Sequence, residues 1–395
     1  MAHVWAGVDI GKTDHHCVVI DAEGSRLLSR RIANDQAELT ALVEQVTALG
    51  DEVTWAVDLP EGGAALLIGV LLAADQRLLY IPGRVVNRAA SGYRGVGKTD
   101  ARDAAIIADQ ARMRRDLAPL RPGDELTVEL KLLTARRGDL VADRTRAVNR
   151  LRNLLTGIFP ALERALDNLT TTGQLTLLTG YQTPAALRRL GTARLEAWLR
   201  NRKVRNPGKL AQIALTAAHQ QRIQLPGEAL TAQLVASLAR EVISLNEQIR
   251  DTDKLIEARF HQHEHATVIA SMPGIGTLLG AEFLAATGGD MTFFGTPDRL
   301  ASFAGLAPAP FDSGRIRGNL HRPVRYHRGL QRVFYYSAMI AIAHCPDSKR
   351  FYARKRAEGK RHNQAVLALA RRRVNVLWAL LRDQRSYQPT APLAA

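Results

Sequence analysis

The chain has 395 residues, and 46% of them are hydrophobic, which is enough for two or three domains with cores of their own. It carries 54 Lys and Arg against 38 Asp and Glu, and this net charge of +16 is typical of proteins that bind polyanions. Cys17 and Cys345 stand far apart, which argues against a disulfide framework or a zinc site and predicts a reducing, cytoplasmic compartment. Apolar runs stay below the ~18 residues of a membrane span, so we expect no membrane partner.

Residues 1–115 show the pattern of an α/β domain. Three short strands within residues 3–33, separated by turn signals, predict an antiparallel meander. A helix, a fourth strand over 52–58, a buried helix, a fifth strand over 76–82 and a further helix follow. This order of elements is that of the ribonuclease-H-like fold, an interpretation that rests on analogy.

Four acidic residues fall at the ends of these elements. Asp9 ends the first strand, in GVDIGKTDHH, and Asp58 ends the fourth strand, which neighbours the first in such a sheet. Asp100 and Asp103 share a face in the first turn of a helix, although acids there also serve as simple N-terminal residues. Four clustered carboxylates need a cation among them, and two Mg²⁺ or Mn²⁺ ions about 3.5–4 Å apart suit phosphodiester chemistry. Glu61 is a rival for the position of Asp58.

The stretch DIGKTD also resembles the phosphate-binding hairpin of sugar kinases. A kinase of that type needs a second phosphate hairpin and a glycine pair for adenosine, and the sequence shows neither where it would be needed. The helical Asp pair and the basic C-terminal region would have no use in such an enzyme. The sequence therefore favours a metal ligand at Asp9, turn residues at Gly11 and Thr13, and a structural role for Asp109 on another helical face.

Residues 116–260 form a helical middle region with two heptad runs around an insert at about 165–225. Arg137 and Arg144 interrupt the seam of the first run. The rhythm predicts an antiparallel or intermolecular coiled coil, with an ordinary helix bundle as the alternative. The apolar positions of the two runs are Leu126, Leu130, Leu133, Leu140, Ala147, Leu151, Leu154, Ile158, and then Val235, Leu238, Val242, Leu245, Ile249 and Ile256.

Residues 261–395 form a third, basic region. Between Gly314 and Arg385 there are 18 Lys and Arg and 3 Asp and Glu, a net charge of +15. This excess indicates phosphate neutralisation, with a solvated helical surface as the alternative. The stretch SMPGIGTLLGAEF places Gly274 and Gly276 before an apolar helix, where free backbone amides can hold a phosphate. A plain corner between two helices has the same local pattern.

At this point the motifs resemble a known family. The strands ending in Asp9 and Asp58, together with GKTDARDA, resemble the DEDD-type, RuvC-like domain of the IS110 family of insertion-sequence transposases. Members of that family include Piv-type DNA invertases and bridge-RNA-guided recombinases. The stretch from SMPGIGTLLG through FAGLAPAPFDSG to FYYSAM resembles its second transposase domain. The resemblance covers residues 4–112 and 264–385, and it implies a RuvC-like domain, a coiled-coil middle and a mainly helical C-terminal serine transposase domain.

The resemblance also implies roles for individual residues. The four acids of the family fall on Asp9, Asp58, Asp100 and Asp103, although the second acid is usually Glu and Asp58 is one methylene shorter. The serine nucleophile of the family falls on Ser313, in the Ser-Gly pair after FAGLAP, where the nearby arginines offer bidentate contacts to a phosphate. The basic residues expected to contact nucleic acid are Arg88, Arg94, Lys98, Arg315, Arg317, Arg322, Arg325, Arg328, Arg371, Arg372 and Arg373.

As a function, the resemblance implies a DNA recombinase. It would cut DNA by serine attack, form a covalent phosphoserine link and rejoin the strand to a new partner, with Mg²⁺ or Mn²⁺ as cofactor. The site would combine the acids of one subunit with the serine of another, in a dimer that pairs into a tetramer. Donor DNA, target DNA and, in many members, an element-encoded guide RNA are the implied partners. The alternatives are a metal-dependent nuclease of the Holliday-junction-resolvase type and an inactive nucleic-acid-binding relative.

Overall fold

The structure, a computed structural model, describes residues 2–93, 97, 99–120, 125–315 and 317–389. The chain divides into unit 1, Met1–Gly123, and unit 2, Asp124–Ala395. The helical middle region and the basic C-terminal region therefore lie in one unit. Within the described ranges, no helix has the length and apolar character needed to cross a bilayer.

Unit 1 is built on a six-stranded mixed sheet in the order β3-β2-β1-β4-β5-β6. The predicted meander is confirmed, because β2 pairs antiparallel with both β1 and β3. β4 runs parallel to β1, and β5 runs parallel to β4, which is consistent with a ribonuclease-H-like domain. The strands are β1 His3–Asp9, β2 Asp14–Ile20, β3 Arg26–Ala33, β4 Glu52–Val57, β5 Arg77–Tyr80 and β6 Ala118–Pro119.

Four α-helices accompany this sheet. Two of them begin at side-chain caps: the Asp35 carboxylate accepts from the Glu38 amide, and the Thr99 hydroxyl accepts from the Arg102 amide. The third helix was not predicted from the sequence, because its eight residues make only about two turns, too few to establish a period. The helices are α1 Gln36–Thr47, α2 Ala65–Ala73 after a 3-10 turn at Gly62–Ala64, α3 Gly83–Ala90 and α4 Asp100–Met113.

Helix α4 packs directly on β1 at Gly7. A Cβ atom at Gly7 would lie 2.3 Å from the carbonyl oxygen of Ala104 and 2.3 Å from the amide nitrogen of Ala108. Both obstructing atoms belong to the helix backbone, so no rotation of a side chain could make room for a larger residue. This contact sets the position of the first turn of α4, which carries Asp100 and Asp103, relative to the end of β1.

Unit 2 is organised around two long helices, α5 Glu125–Ile158 and α11 Glu228–Phe260, which pack against each other. Their polar pairs show an antiparallel arrangement, since Arg137 binds Asp253 and Arg144 donates to the Asn246 side chain at 3.3 Å. The two arginines that interrupt the heptad seam are thus paired with polar residues of the facing helix, a pattern that can specify register. A coiled coil between chains stays a prediction.

The two long helices join two hydrophobic cores. One core contains the C-terminal half of α5, the N-terminal half of α11 and the short helices of the insert. The other contains Leu130 of α5, Ile256 and Phe260 of α11, and the helices that follow. The remaining elements are α6 Pro160–Ala165, α7 Thr172–Gly180, α8 Pro184–Leu190, α9 Thr192–Asn201, α10 Pro207–His219, α12 Ala266–Ser271, α13 Thr277–Thr287, α14 Pro297–Phe303, β7 Ala309–Pro310, β8 Leu320–His321, α15 Arg328–His344, α16 Pro346–Ala357 and α17 His362–Arg382.

We predict that Gly7→Ala lowers the free energy of unfolding of unit 1, because the added methyl group would collide with the backbone of α4. Overpacking of this kind costs about 1–3 kcal/mol. The matched control is Gly69→Ala in α2, where a Cβ meets no atom within 4 Å and helix propensity should raise stability slightly. Denaturant unfolding followed by circular dichroism measures both. Equal stability of the two variants would contradict the packing of α4 on β1.

Candidate active site

Two of the predicted acids lie at the carboxyl ends of neighbouring parallel strands. Val8 of β1 pairs with Val57 of β4, so Asp9 and Asp58 follow at the same level of the sheet. The Asp58 Oδ1 atom accepts a hydrogen bond from the Ile10 amide at 3.3 Å, which ties Asp58 to the turn after β1. Both carboxylates are half-buried. The structure therefore brings these two acids together.

Helix α4 adds the other two predicted acids near the same edge of the sheet. Burial raises the pKa of Asp58, and the negative charge of Asp103 adds to that rise. Asp100 is exposed and acts electrostatically on His16, the cross-strand partner of Asp9 on β2. Burial lowers the pKa of His16, and the charge of Asp100 opposes that change. Among these acids, the charge of Asp103 thus makes ionisation of Asp58 less favourable.

The surroundings of Asp58 include side chains that sequence reasoning did not single out. His15 on β2 is buried, and burial lowers the pKa of its imidazole. Tyr80 ends β5, and burial, with a further contribution from Asp58, raises the pKa of its hydroxyl. The predicted fifth strand, over 76–82, continues past Tyr80, so only the observed end of β5 places Tyr80 at this edge of the sheet. Glu61, the alternative second acid, is exposed.

The chemistry of these donors fits a divalent cation. Carboxylate oxygens are hard ligands of the kind that Mg²⁺ and Mn²⁺ accept. A cation beside Asp58 would offset both the burial and the charge of Asp103 that raise its pKa. In the part of unit 1 that the structure describes, no three acidic, histidine or cysteine side chains converge closely enough to coordinate one ion.

Two described residues that precede α4, Tyr93 and Gly97, form hydrogen bonds with side chains of that helix. Arg102 donates to the carbonyl oxygens of Tyr93 at 3.2 Å and Gly97 at 2.5 Å. Asp109 accepts from Arg112 at 2.7 Å and from the Tyr93 hydroxyl at 2.6 Å, which confirms its interpretation as a structural residue. Of the predicted nucleic-acid contacts in unit 1, Arg88 is exposed at the end of α3. Arg94 and Lys98 lie outside the described residues.

Ser313 lies on an exposed hairpin of unit 2. The Phe311 amide donates to the Asn319 carbonyl oxygen at 2.8 Å, and the Asn319 amide donates to the Asp312 carboxylate at 2.9 Å. These bonds close the loop that carries the serine. Arg322 donates to the Tyr326 hydroxyl at 3.0 Å, just after the hairpin. The predicted phosphate contacts that are exposed on or beside this hairpin are Arg315, Arg317, Arg322, Arg325 and Arg328.

The structure corrects the prediction for Arg373. Its side chain is only 4% exposed, its Nε donates to the Ser337 hydroxyl at 2.8 Å, and a second guanidinium N–H donates to the Pro273 carbonyl. Arg373 therefore holds α17 against α15 from the interior of unit 2. Its neighbours differ, because Arg372 is exposed and Arg371 pairs with Asp298.

The structure also corrects the prediction of a free phosphate cradle at Gly274. This residue has φ +81°, and a Cβ atom there would lie 2.5 Å from the Ser337 carbonyl oxygen of α15. Only glycine fits this conformation and this close approach. The turn before α13 is therefore a packing contact at Gly274, whereas Gly276 is exposed at the start of the helix.

Comparisons with known proteins find a family match in the N-terminal part of the chain and another in the C-terminal part. The family model DEDD_Tnp_IS110, described as Transposase, matches residues 6–160, which include the four acids. The model described as Transposase IS116/IS110/IS902 family matches residues 266–353, which include Ser313.

Full-length relatives show the same similarity. The chain is 61% identical to the insertion element IS900 42 kDa protein of Mycobacterium paratuberculosis, over 99% of each chain. It is 50% identical to the insertion element IS116 44.8 kDa protein of Streptomyces clavuligerus, over 99% of this chain and 97% of the relative. It is 38% identical to the insertion element IS110 43.6 kDa protein of Streptomyces coelicolor, over 98% and 96%.

We predict that acid destabilises unit 2 through His327, whose ring accepts from the Leu330 amide at 3.0 Å and caps α15. Burial lowers the pKa of His327, and the charge of Lys131 lowers it further. The folded state binds this proton less readily than the unfolded chain does, so stability is present above about pH 6.5 and falls below it. His327→Ser keeps an acceptor without titration, so its denaturation midpoint should lose less between about pH 7.5 and pH 5.5. Equal losses would contradict this role.

Proposed function

Because the chain belongs to the IS110 family of transposases, we propose that it cuts and rejoins DNA through a covalent phosphoserine intermediate at Ser313. Membership makes the protein a transposase with DNA as substrate, and its DEDD domain implies a divalent metal. The observation that supports the serine chemistry best is the exposed hairpin, which presents Ser313 among arginines. The acids gathered at the end of β1 support the metal chemistry.

The acids Asp9, Asp58, Asp100 and Asp103 are the residues that would hold Mg²⁺ or Mn²⁺. When bound, the metal supplies positive charge that stabilises the phosphodiester as it is exchanged. The half-buried position of Asp58 and the hydrogen bond from the Ile10 amide orient its carboxylate at the end of β4. Burial lowers the pKa of His15, which disfavours the charged imidazole that would compete with a cation beside Asp58.

The proposed cleavage exchanges one ester for another. The Oγ atom of Ser313 attacks phosphorus, and the bond from phosphorus to one strand oxygen breaks. The serine proton is lost and the departing oxygen gains a proton, which yields a phosphoserine diester and a strand hydroxyl. Attack by a hydroxyl of another strand reverses the exchange and restores Ser313. Arg315, Arg317 and Arg322 would hold the phosphate, because guanidinium groups bind it in a bidentate manner.

We also propose that other subunits and an RNA take part in the reaction. The active assembly would be a dimer that pairs into a tetramer, with the acids of one subunit serving the serine of another. A structured RNA encoded by the element would guide the choice of donor and target DNA. The net charge of +15 between Gly314 and Arg385 supports extensive contact with phosphates. Because the guide RNA would recognise the DNA sequence by base pairing, the protein would contact mainly the nucleic-acid backbone and recognise the shape of the duplex.

We expect Asp58→Asn and Asp103→Asn to weaken binding of Mn²⁺ to the full-length protein, because each removes a charged ligand. The loss should exceed the roughly 10–100-fold that removal of an outer-shell partner costs. Asp109→Asn is the matched control, since Asp109 belongs to the same helix but binds Arg112 and Tyr93. Electron paramagnetic resonance of free Mn²⁺ measures all three. Unchanged affinity in the first two variants would rule out their assignment as ligands.

We expect Ser313→Ala to abolish a protein–DNA adduct that the unaltered protein forms with element-end DNA. The reaction contains Mg²⁺ and RNA transcribed from the flanks of the element, and the adduct is detected on a denaturing gel. Ser302→Ala, which alters another exposed serine of unit 2, is the control and should retain the adduct. Omission of the divalent metal should abolish the adduct, and omission of the RNA tests guidance separately. Cleavage without an adduct, equal in both variants, would mean a water-using nuclease instead.

A further inference from the structure

A groove runs along α17, lined by α16 at one end and by residues that follow α17 at the other, outside the hairpin that carries Ser313. It consists of two cavities of about 480 and 510 Å³, which we name together the α16–α17 groove. Both volumes are in the range of sites that take a small organic group. The two cavities share the lining residues Arg372, Val376, Tyr387 and Gln388, so they adjoin along one face of α17.

The lining of this groove is rich in arginine. Arg350, Arg354 and Arg372 line the first cavity, and Arg385 lines the second with Arg372. Carboxylates accompany three of these residues. Arg350 pairs with Asp347, Arg354 lies 3.9 Å from Glu358, and Arg385 lies 3.4 Å from Asp383. Arg372, in contrast, contacts no carboxylate among the described residues. Its positive charge is therefore available to an anion.

Three cationic side chains lie close to one aromatic ring, that of Phe351. The guanidinium carbons of Arg354 and Arg372 each lie 5.2 Å from the centre of the Phe351 ring, and the Lys355 ammonium lies 5.6 Å from it. Phe351 is half-buried against the core of unit 2, so its ring is fixed in place. An aromatic face bordered by cations is the combination that holds a base and its phosphates in proteins that bind single strands.

The interior of the molecule adds a further positive charge beneath the first cavity. Arg373 lines that cavity and, among the described residues, binds the hydroxyl of Ser337 and the carbonyl of Pro273 but no carboxylate. Burial lowers the pKa of Arg373 to about 10, so its guanidinium is still charged at neutral pH. A buried cation without a counterion is costly, and an anion in the cavity would offset that cost.

We propose that the α16–α17 groove binds an unpaired strand of nucleic acid, with phosphates on Arg354 and Arg372 and a base against Phe351. A duplex fits less well, because its bases stack on one another and leave no face for Phe351. The strand belongs to DNA opened during recombination or to a single-stranded segment of RNA, and both offer the same phosphate and base chemistry. The groove deepens the proposed function without depending on Ser313.

The test measures binding without cleavage. Full-length protein carrying Ser313→Ala is used with a chelator present, so a failure of the proposed serine chemistry cannot affect the result. The probes are fluorescein-labelled oligothymidylate and oligouridylate of about a dozen nucleotides, with a duplex of equal length. Fluorescence anisotropy at several salt concentrations gives each Kd and its salt dependence. Tighter binding of the DNA or the RNA strand identifies the source of the natural ligand.

Added to that protein, the double substitution Arg354→Ala with Arg372→Ala should weaken binding of the single strands about tenfold or more. Its salt slope should fall by about 1.4, which corresponds to two phosphate contacts at about 0.7 each. The matched control, Lys349→Ala with Arg356→Ala, also removes two charges from this region but outside the groove lining. It should weaken binding less than the groove pair. Phe351→Leu should weaken binding of the single strands and leave the salt slope unchanged.

Three results would overturn the proposal. One is an equal loss of affinity for the groove pair and the control pair, which would indicate a diffuse basic surface. Another is an equal loss for duplex and single strands, and a third is unchanged binding by Phe351→Leu. A further measurement uses protein without substitutions in the groove, so misfolding of a variant cannot affect its result. Oligothymidylate should protect Arg354 and Arg372, but not Arg356, from modification by phenylglyoxal, and equal labelling would also overturn the proposal.

Discussion

The parallel pairing of β1 with β4 is the contact on which the candidate active site depends. It places Asp9 and Asp58 on neighbouring strand ends, and the close approach of α4 at Gly7 adds Asp103 to the surroundings of Asp58. Burial and the charge of Asp103 both raise the pKa of Asp58, and a cation at this edge would offset both effects. The sheet thus supports a charge arrangement that is unfavourable without a ligand, as is common at functional sites.

In unit 2, the residues that stabilise the fold are different from those exposed for contact with nucleic acid. Its two cores are apolar and lie around the pair of long helices, while the described residues of the hairpin with Ser313 lie outside both cores. Clustered positive charges on a surface repel one another, and the cores offset that repulsion. The arginines accordingly divide into exposed residues available to phosphates and an interior one, Arg373, which joins α15 to α17.

Much of unit 1 could be predicted because its signals are local. Strand runs bounded by turns, the Asp35 cap and the start of α4 after Thr99 depend on residues close in sequence. The acids at strand ends follow from the same patterns once the order of elements suggests a sheet. Short elements such as α3 and β6 could not be predicted, because two to eight residues contain too little periodicity.

By itself, the sequence determined the order of the longer elements of unit 1, the basic character of the C-terminal region and the motifs that place the chain in its family. Only the tertiary structure decided which side chains are available. Arg371, Arg372 and Arg373 are identical letters in a row, yet successive helical positions point in different directions, and α15 covers one of them. The sequence around Gly274 fits either a phosphate-binding turn or a packing contact between helices. Its close approach to the Ser337 carbonyl oxygen identifies it as a packing contact. Such distinctions depend on residues distant in sequence, so no local pattern contains them.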